Sequence, residues 1–285
     1  MKDKIHLQKD IEMKKVLIIF DGEHFSKGAF DFACHMNETN QILLVGLFLP
    51  SVDYTDVMLY YIGGMAGPLY PLSLETDTAA IANNVEKFKQ LCLKNNTEYR
   101  VHTEIIGTIL EGIKKETRYA DLLIIGEELF YNNLGSSSQE VYLKDTMHRA
   151  ECPVIVVPET YSFPNSLIFA YDGSQSSVYA IKQFINLFPE MLTLKALIVY
   201  SSPKNDDIPD IDYMEEFAAR HLKDLTFFKL DTDPEKYFNT WMMDRGSALL
   251  VTGSYGRSSL SEIFKKNFVT DVIKDHKLPV FITHL

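Results

Sequence analysis

Two pairs of residues have the types and spacing expected of a ligand-binding edge. Asp172 and Gly173 directly follow one apolar run, and Gly253 and Gly256 follow another as a G-x-x-G sequence. The carboxylate could serve as a general base, and glycines permit tight turns and close backbone approach to a ligand. At the start of a helix, such a loop would also offer free amides to an anion. These four residues predict a binding site for an anionic small molecule.

Catalysis and metal binding have less support than binding. Serines are frequent near these positions, but no G-x-S-x-G sequence provides the strand-turn-helix frame that an activated serine needs. The eight histidines include no H-E-x-x-H sequence and no zinc-like spacing with cysteine. We therefore assign no catalytic residue and no metal ligand. Asp21 is interpreted as a structural cap, whereas for Asp172 a cap and a functional carboxylate both stay open.

An internal repeat puts these residues at strand-to-helix turns. The pair at Asp172 has a counterpart at Asp21 and Gly22, and each pair follows an apolar run and precedes apolar residues at helical spacing. Two further segments recur in the same order. The matched stretches are 15–33 with 166–184, 120–129 with 247–256, and 152–159 with 278–285. The chain is therefore predicted to contain two copies of one domain, at residues 14–158 and 163–285, joined by the turn-forming residues 159–166.

Each copy has the pattern of an α/β domain. Apolar runs of Val, Ile, Leu and Phe alternate with helical patterns at residues 81–94, 107–120, 214–225 and 235–246. Continuous apolar strands separated by helices indicate parallel strands that are covered on both faces. Each half is predicted to be an open, mainly parallel sheet of about five strands, Rossmann-like or flavodoxin-like and flanked by helices. We expect two sheets rather than one continuous sheet.

The stretch GSYGRSSLSEIFKKNFVTDVIKDHKLPVFI, which opens at Gly253, resembles the signature of the universal stress protein family. In that signature a strand ends in G-x-x-G, nine residues intervene, a Gly-Ser or Gly-Thr pair starts a helix, and a Pro-Val strand follows. The likeness runs through both halves in order. It implies a stress-response protein that binds an adenine nucleotide, ATP or AMP. The resemblance places Asp172 at the nucleoside and the glycine loop at the phosphates.

The phosphate pair departs from that signature. Lys266 and Asn267 stand where the nucleotide-binding members have Gly followed by Ser or Thr. The Lys266 side chain can obstruct a phosphate, or its ammonium can replace the amide contacts with charge. The first half departs further, with Leu129 at the second glycine position and Glu140 at the phosphate pair. We therefore expect any nucleotide to occupy the second half. The residues assigned to it are Asp172, Gly173, Gly253, Gly256, Lys266 and Asn267.

Composition argues against several classes of partner. The chain has 285 residues and a net charge of −11, so it has no broad cationic field to attract nucleic acid. No stretch reaches the roughly 18 apolar residues of a membrane span, and the charged N-terminus lacks the apolar core of a signal peptide. The three cysteines have no C-x-x-C spacing and are interpreted as buried thiols. These features predict a cytoplasmic protein.

Three functions stay open at this point. The first is a non-catalytic stress-response protein that binds an adenine nucleotide and acts through conformation or partners. The second is slow ATP hydrolysis, with Lys266 neutralising phosphate charge and Asp172 near a metal-bound water. The third is an interaction module whose working surface is residues 50–75, a long segment rich in Tyr, Met and Gly.

The resemblance also implies how the halves are arranged. Members of the family commonly dimerise through the last strand, so we expect the two halves to pack as an intramolecular pseudo-two-fold pair. The contact is predicted at residues 154–157 and 280–283, which are apolar enough to be covered on both sides. A homodimer of whole chains is a further possibility.

Overall fold

Strands and helices alternate through both halves of the chain. The computed structural model describes residues 13–20, 24–49, 78–103, 109–127, 150–201, 206–230, 247–253 and 278–283. The first half contains β1 (Lys14–Phe20), α1 (Lys27–Thr39), β2 (Ile42–Phe48), α2 (Thr78–Lys94), β3 (Glu98–His102), α3 (Ile109–Arg118), β4 (Leu122–Gly126) and β5 (Val154–Val157). The second half contains β6 (Ser166–Ala170), α4 (Gln175–Leu187), a 3-10 helix (Pro189–Thr193), β7 (Lys195–Ser201), α5 (Ile211–Ala218), β8 (Asp224–Leu230), β9 (Ala248–Gly253) and β10 (Val280–Thr283).

The described strands form a ten-stranded sheet in the order β3-β2-β1-β4-β5-β10-β9-β6-β7-β8. All neighbouring strands within a half are parallel. Each half contributes five strands, and strand order reverses direction at β1 in the first half and at β6 in the second. The predicted α/β class is therefore confirmed, with helices on the faces of mainly parallel strands.

The two halves meet at an antiparallel strand pair. Val156 of β5 is opposite Val280 of β10, and Ile155 is opposite Phe281. The expectation of two sheets is wrong, because this pair makes the sheet continuous. Both strands are buried along their whole length, and pairing satisfies backbone groups that a bare edge would leave open. The contact between the halves was predicted at these two strands. A two-fold relation between the halves, and a homodimer, stay predictions.

Two layers of apolar side chains cover the sheet. On one face, α1, α2, α4 and α5 bury residues such as Phe32, Phe88 and Phe184 against the strands. On the other face, α3 contributes Ile113 to a second apolar layer. Because side chains alternate along each strand, central strands such as β4 are apolar at every position and serve both layers.

The two outermost strands were not located from the sequence. In β3 and β8, exposed positions alternate with partly buried ones, so neither strand is a continuous apolar run. Both strands also carry charged residues, which are common in edge strands and discourage pairing with another chain. The helical pattern assigned to 214–225 also ended too late. Helix α5 ends at Ala218, and Asp224 already belongs to β8.

Equivalent helices in the two halves begin at serine N-caps but after turns of different length. The Ser26 hydroxyl accepts a hydrogen bond from the amide of Ala29 at the start of α1, and Ser174 does the same for Ser177 at the start of α4. Ser26 lies five positions after Asp21, whereas Ser174 lies two positions after Asp172. The first-half turn is thus three residues longer, so aligning the Asp-Gly pairs does not align the helices.

The segment between the halves packs against the first half. In residues 159–165, the ring of Phe163 lies 3.6 Å from that of His35 and 5.6 Å from that of Phe32, both on α1. The halves are also joined by side chains, since the Asn40 amide donates to the Glu190 carboxylate at 3.1 Å and the Lys14 ammonium donates to the carbonyl of Leu187. The predicted domain boundaries within this stretch stay predictions.

Candidate functional site

The carboxyl ends of β6 and β9 form the edge on which the predicted ligand residues converge. These two strands are neighbours in the sheet, whereas the chain continues from β6 to β7 on the opposite side. Ligands of open parallel sheets bind at such a switch point, because the connections diverge there and leave a crevice. Asp172 lies just beyond β6, Gly253 ends β9, and both are partly exposed. The structure therefore brings two predicted site residues to one edge.

Asp172 organises the turn that starts α4. Its Oδ1 atom accepts a hydrogen bond from the amide of Ser174 at 2.9 Å, and Gly173 between them has a φ of +77°. A Cβ atom at Gly173 would lie 2.7 Å from Cβ of Pro209. Both the left-handed backbone and the lack of space require glycine here. The capping role for Asp172 is confirmed, and a contact with a nucleoside stays a prediction.

Serine hydroxyls are concentrated at the first turn of α4. The Ser174 hydroxyl caps the helix and lies 3.1 Å from the hydroxyl of Ser176, while Ser177 Oγ donates to the carbonyl of Ser174 at 2.9 Å. Ser176 and Ser177 are buried. These serines therefore act as cap and packing residues at the start of α4.

Gly253 allows the end of β9 to approach the backbone of α4. A Cβ atom at this position would lie 2.3 Å from the carbonyl oxygen of Ser176 and 2.9 Å from the amide nitrogen of Ser177. Close helix-strand packing thus accounts for this glycine, whereas its predicted role was to allow close approach by a ligand. The backbone of Gly253 still lies at the open edge, where β9 ends. Its contact with a ligand therefore stays a prediction.

A buried tyrosine links this edge to the connection before α5. The Tyr171 hydroxyl donates to the carbonyl of Pro209 at 2.9 Å. Burial, together with the nearby carboxylates of Asp210 and Asp172, raises the pKa of the Tyr171 phenol. The phenol therefore stays neutral at physiological pH. The edge is acidic on this side, so a bound anion would need cationic groups from elsewhere in the chain.

Several predicted residues lie outside the described part of the chain. They are Asp21, Gly22, Leu129, Glu140, Gly256, Lys266, Asn267 and the segment 50–75. Their proposed roles stay predictions. Among the described residues, no group of three or more His, Cys, Asp or Glu side chains could hold a metal ion.

The corresponding edge of the first half carries an internal anion that sequence reasoning missed. The amide of Gly28, in the first turn of α1, donates to Oε2 of Glu159 at 3.1 Å, and the amide of Glu159 donates to Oε1 of Glu127 at 2.8 Å. A carboxylate at a helix N-terminus interacts favourably with the helix dipole. The chain itself therefore supplies the negative charge that an anionic ligand would bring. The only sequence signal was the position of Glu127 directly after an apolar strand and of Glu159 two residues after another.

The cysteines are unsuited to nucleophilic or redox chemistry. Burial raises the pKa values of the Cys34, Cys92 and Cys152 thiols to about 12, and the carboxylates of Asp31 and Asp121 add to the effect at Cys34 and Cys152, respectively. All three are free thiols. The thiolate is the reactive form, so these groups are inert at neutral pH.

The raised thiol pKa values predict loss of stability in alkali. Above the ordinary thiol pKa of about 8.5, the unfolded chain loses these protons while the folded chain keeps them, so the free energy of unfolding falls as pH rises. Between about pH 8 and about pH 9.5, Cys92 and Cys152 should each contribute a loss of up to about 1 kcal/mol. Urea unfolding of the wild type and of C92A/C152A measures the difference. Equal pH slopes in the two proteins would contradict the prediction.

In the part of the chain that the structure describes, no helix is both long enough and apolar enough to span a membrane. A scan of the sequence against protein-family models gives no match, and neither does a comparison with curated proteins.

Comparison with solved structures gives matches along nearly the whole chain. A universal stress protein from Archaeoglobus fulgidus DSM 4304 matches 95% of this chain and 96% of its own, with 15% identity and a TM-score of 0.61. A protein from Pseudomonas aeruginosa UCBPP-PA14, provisionally described as a universal stress protein, matches 96% of this chain and 94% of its own, with 13% identity and a TM-score of 0.57. A functionally unknown protein from Pseudomonas aeruginosa PAO1 matches 96% of this chain and 93% of its own, at 12% identity and a TM-score of 0.58. The resemblance seen in the sequence is thereby confirmed at the level of fold, and the chain has the universal stress protein fold over nearly its whole length.

Proposed function

We propose that the second half binds an adenine nucleotide, ATP or AMP, at the carboxyl ends of β6 and β9. The observation that carries this proposal is the convergence of Asp172 and Gly253 at the switch point, beside the first turn of α4. The Asp172 carboxylate is suited to ribose hydroxyls. The α4 N-terminus adds a positive dipole end near the phosphates.

The glycine loop completes the proposed site. Gly256 would let the backbone approach the phosphates, while Lys266 and Asn267 would contact them in place of the usual small residues. The acidic side of the edge, with Asp172 and Asp210, makes the Lys266 charge the main electrostatic attraction for phosphate. Removing that charge should therefore weaken binding in a salt-dependent way.

Binding rather than turnover is the function that these groups support. We propose a stress-response protein of the cytoplasm that responds to nucleotide by a change in conformation or in partner binding. The pairing of β5 with β10 offers a mechanical connection between the halves, since nucleotide at β9 lies one strand away from the junction. An intramolecular pseudo-dimer of the two halves is part of this proposal.

Thermal unfolding with ATP or AMP tests the proposal. Nucleotide at tenfold excess over its dissociation constant should stabilise the native state by about 1.4 kcal/mol, which corresponds to about 2–4 °C. The shift should vanish in Gly256→Val, and Lys266→Glu should reduce it most at low salt. Lys223→Glu, an equal charge change on the surface after α5, is the matched control and should leave the shift intact.

Each other outcome points to a different function. Release of inorganic phosphate from ATP would favour slow hydrolysis. An undiminished shift in Gly256→Val would refute the assigned site. No shift at millimolar nucleotide would refute nucleotide binding and favour the interaction module formed by residues 50–75.

A further inference from the structure

Three aromatic rings are stacked at the carboxyl ends of β1 and β2 in the first half. The ring of Phe20 lies 4.7 Å from that of Phe25, at an interplanar angle of 16°, and 4.9 Å from that of Phe48, at 20°. Phe20 is therefore the middle ring. Phe20 and Phe48 are almost fully buried, whereas Phe25 is only half-buried. The stack thus ends at the surface with Phe25.

Phe25 is held in this position from two further sides. It directly precedes the N-cap Ser26, and its ring lies 5.7 Å from that of Phe30 in the next turn, an arrangement known as a hydrophobic staple. The ammonium group of Lys87, on α2, lies 4.3 Å from the centroid of the Phe25 ring. The ring is consequently enclosed between the flat face of Phe20 and a cation.

The surroundings of Phe25 would suit a flat heteroaromatic ligand. Phe20 provides an aromatic face for stacking, which is sequence-tolerant and favourable for any nucleobase. Lys87 provides a positive charge at the rim. Phe20 ends β1, the strand that borders the switch point between β1 and β4, where ligands of such sheets bind.

The second half differs at the corresponding position. The residue before its N-cap Ser174 is Gly173, which has no side chain to stack at the strand ends. The residue before the N-cap therefore places a ring, that of Phe25, at the strand ends of the first half, and it places none at the strand ends of the second half.

We propose that Phe25 is the internal occupant of a slot for a planar aromatic ring, and that it closes the first half to ligands such as nucleobases. Removal of the ring opens the slot, with Phe20 as its floor and Lys87 at its rim. This inference does not depend on nucleotide binding by the second half.

Photo-crosslinking with 8-azidoadenosine, followed by mapping of the labelled peptides, tests this proposal. Phe25→Ala should increase labelling of residues 13–49 and 78–103 by about tenfold over wild type, because stacking on Phe20 contributes roughly 1–3 kcal/mol. Labelling of residues 166–201 reports on the second half separately. Absence of labelling at residues 166–201 would count against nucleotide binding by the second half and not against the proposed role of Phe25.

Two further variants keep the test decisive. Phe25→Val keeps an apolar contact with Phe30 but lacks the ring, so it should also gain labelling if Phe25→Ala does not fold. Phe32→Ala removes a fully buried ring from α1, the helix that follows Phe25, at a distance from the stack and next to Phe163, and should gain none. Equal labelling of Phe32→Ala, or no gain in folded Phe25→Ala or Phe25→Val, would overturn the proposal.

Discussion

The free energy of unfolding is expected to fall by about 2–3 kcal/mol when Gly253 is replaced by alanine. The added Cβ atom would lie 2.3 Å from the carbonyl oxygen and 2.5 Å from the carbonyl carbon of Ser176. These are backbone atoms in the first turn of α4, so the conflict cannot be relieved by a side-chain rotation. The helix start must move away from β9, and the N-cap hydrogen bond made by Ser174 moves with it. Urea unfolding at neutral pH measures this loss.

Gly46→Ala is the matched control for the Gly253 substitution. Gly46 also lies in a strand, but a Cβ atom there would meet ring atoms of Phe48 at 2.9 Å and Phe88 at 3.0 Å. Side-chain rings can shift by a few tenths of an ångström, so a smaller loss of about 1 kcal/mol is expected. If Gly253→Ala costs no more than Gly46→Ala, the proposed contact between β9 and α4 does not govern stability at this edge.

Replacing Phe281 by alanine should destabilise the protein by about 3–5 kcal/mol. Phe281 is fully buried in β10, and its ring makes edge-to-face contacts with Phe184 at 5.4 Å and Phe188 at 5.8 Å. The substitution leaves a cavity between β10 and α4 that neighbouring rings cannot fill without leaving their own positions. Because Phe281 is paired with Ile155, the effect should extend into the first half.

Hydrogen exchange distinguishes a local effect from one that crosses the junction. Amides of residues 154–157 in the first half should exchange faster in Phe281→Ala than in the wild type, since their partner strand opens more often. Tyr213→Ala removes a ring that is 77% exposed and should change stability by less than about 0.5 kcal/mol. Unchanged exchange at residues 154–157 would mean that the two halves unfold independently despite their shared sheet.

The site was predicted in part because its residues have local signatures. An Asp-Gly pair after an apolar run indicates a strand-to-helix turn, and the positive φ of Gly173 agrees with the need for glycine there. The role of Gly253 was assigned differently, because no sequence pattern reveals which backbone will approach a glycine across the fold. Glu127 and Glu159 were missed for the same reason. Each follows a strand, and only the fold brings Glu159 to the amide of Gly28.

The sequence by itself determined the class of fold and the duplication. Apolar runs of strand length, helical spacing between them and three matched segments follow from local chemistry and from burial on both faces of a sheet. It could not locate β3 and β8, because half-exposed edge strands lack a continuous apolar run.

Only the tertiary structure decided how the halves are joined and how their edges differ. The same apolar strands β5 and β10 are compatible with two covered sheets or with one shared sheet, and pairing between distant backbones selects the continuous sheet. Likewise, a phenylalanine before a helix start could face solvent or core. Its stacking on Phe20, and the ammonium of Lys87 above it, depend on residues far apart in sequence that meet only when β1, α1 and α2 pack together.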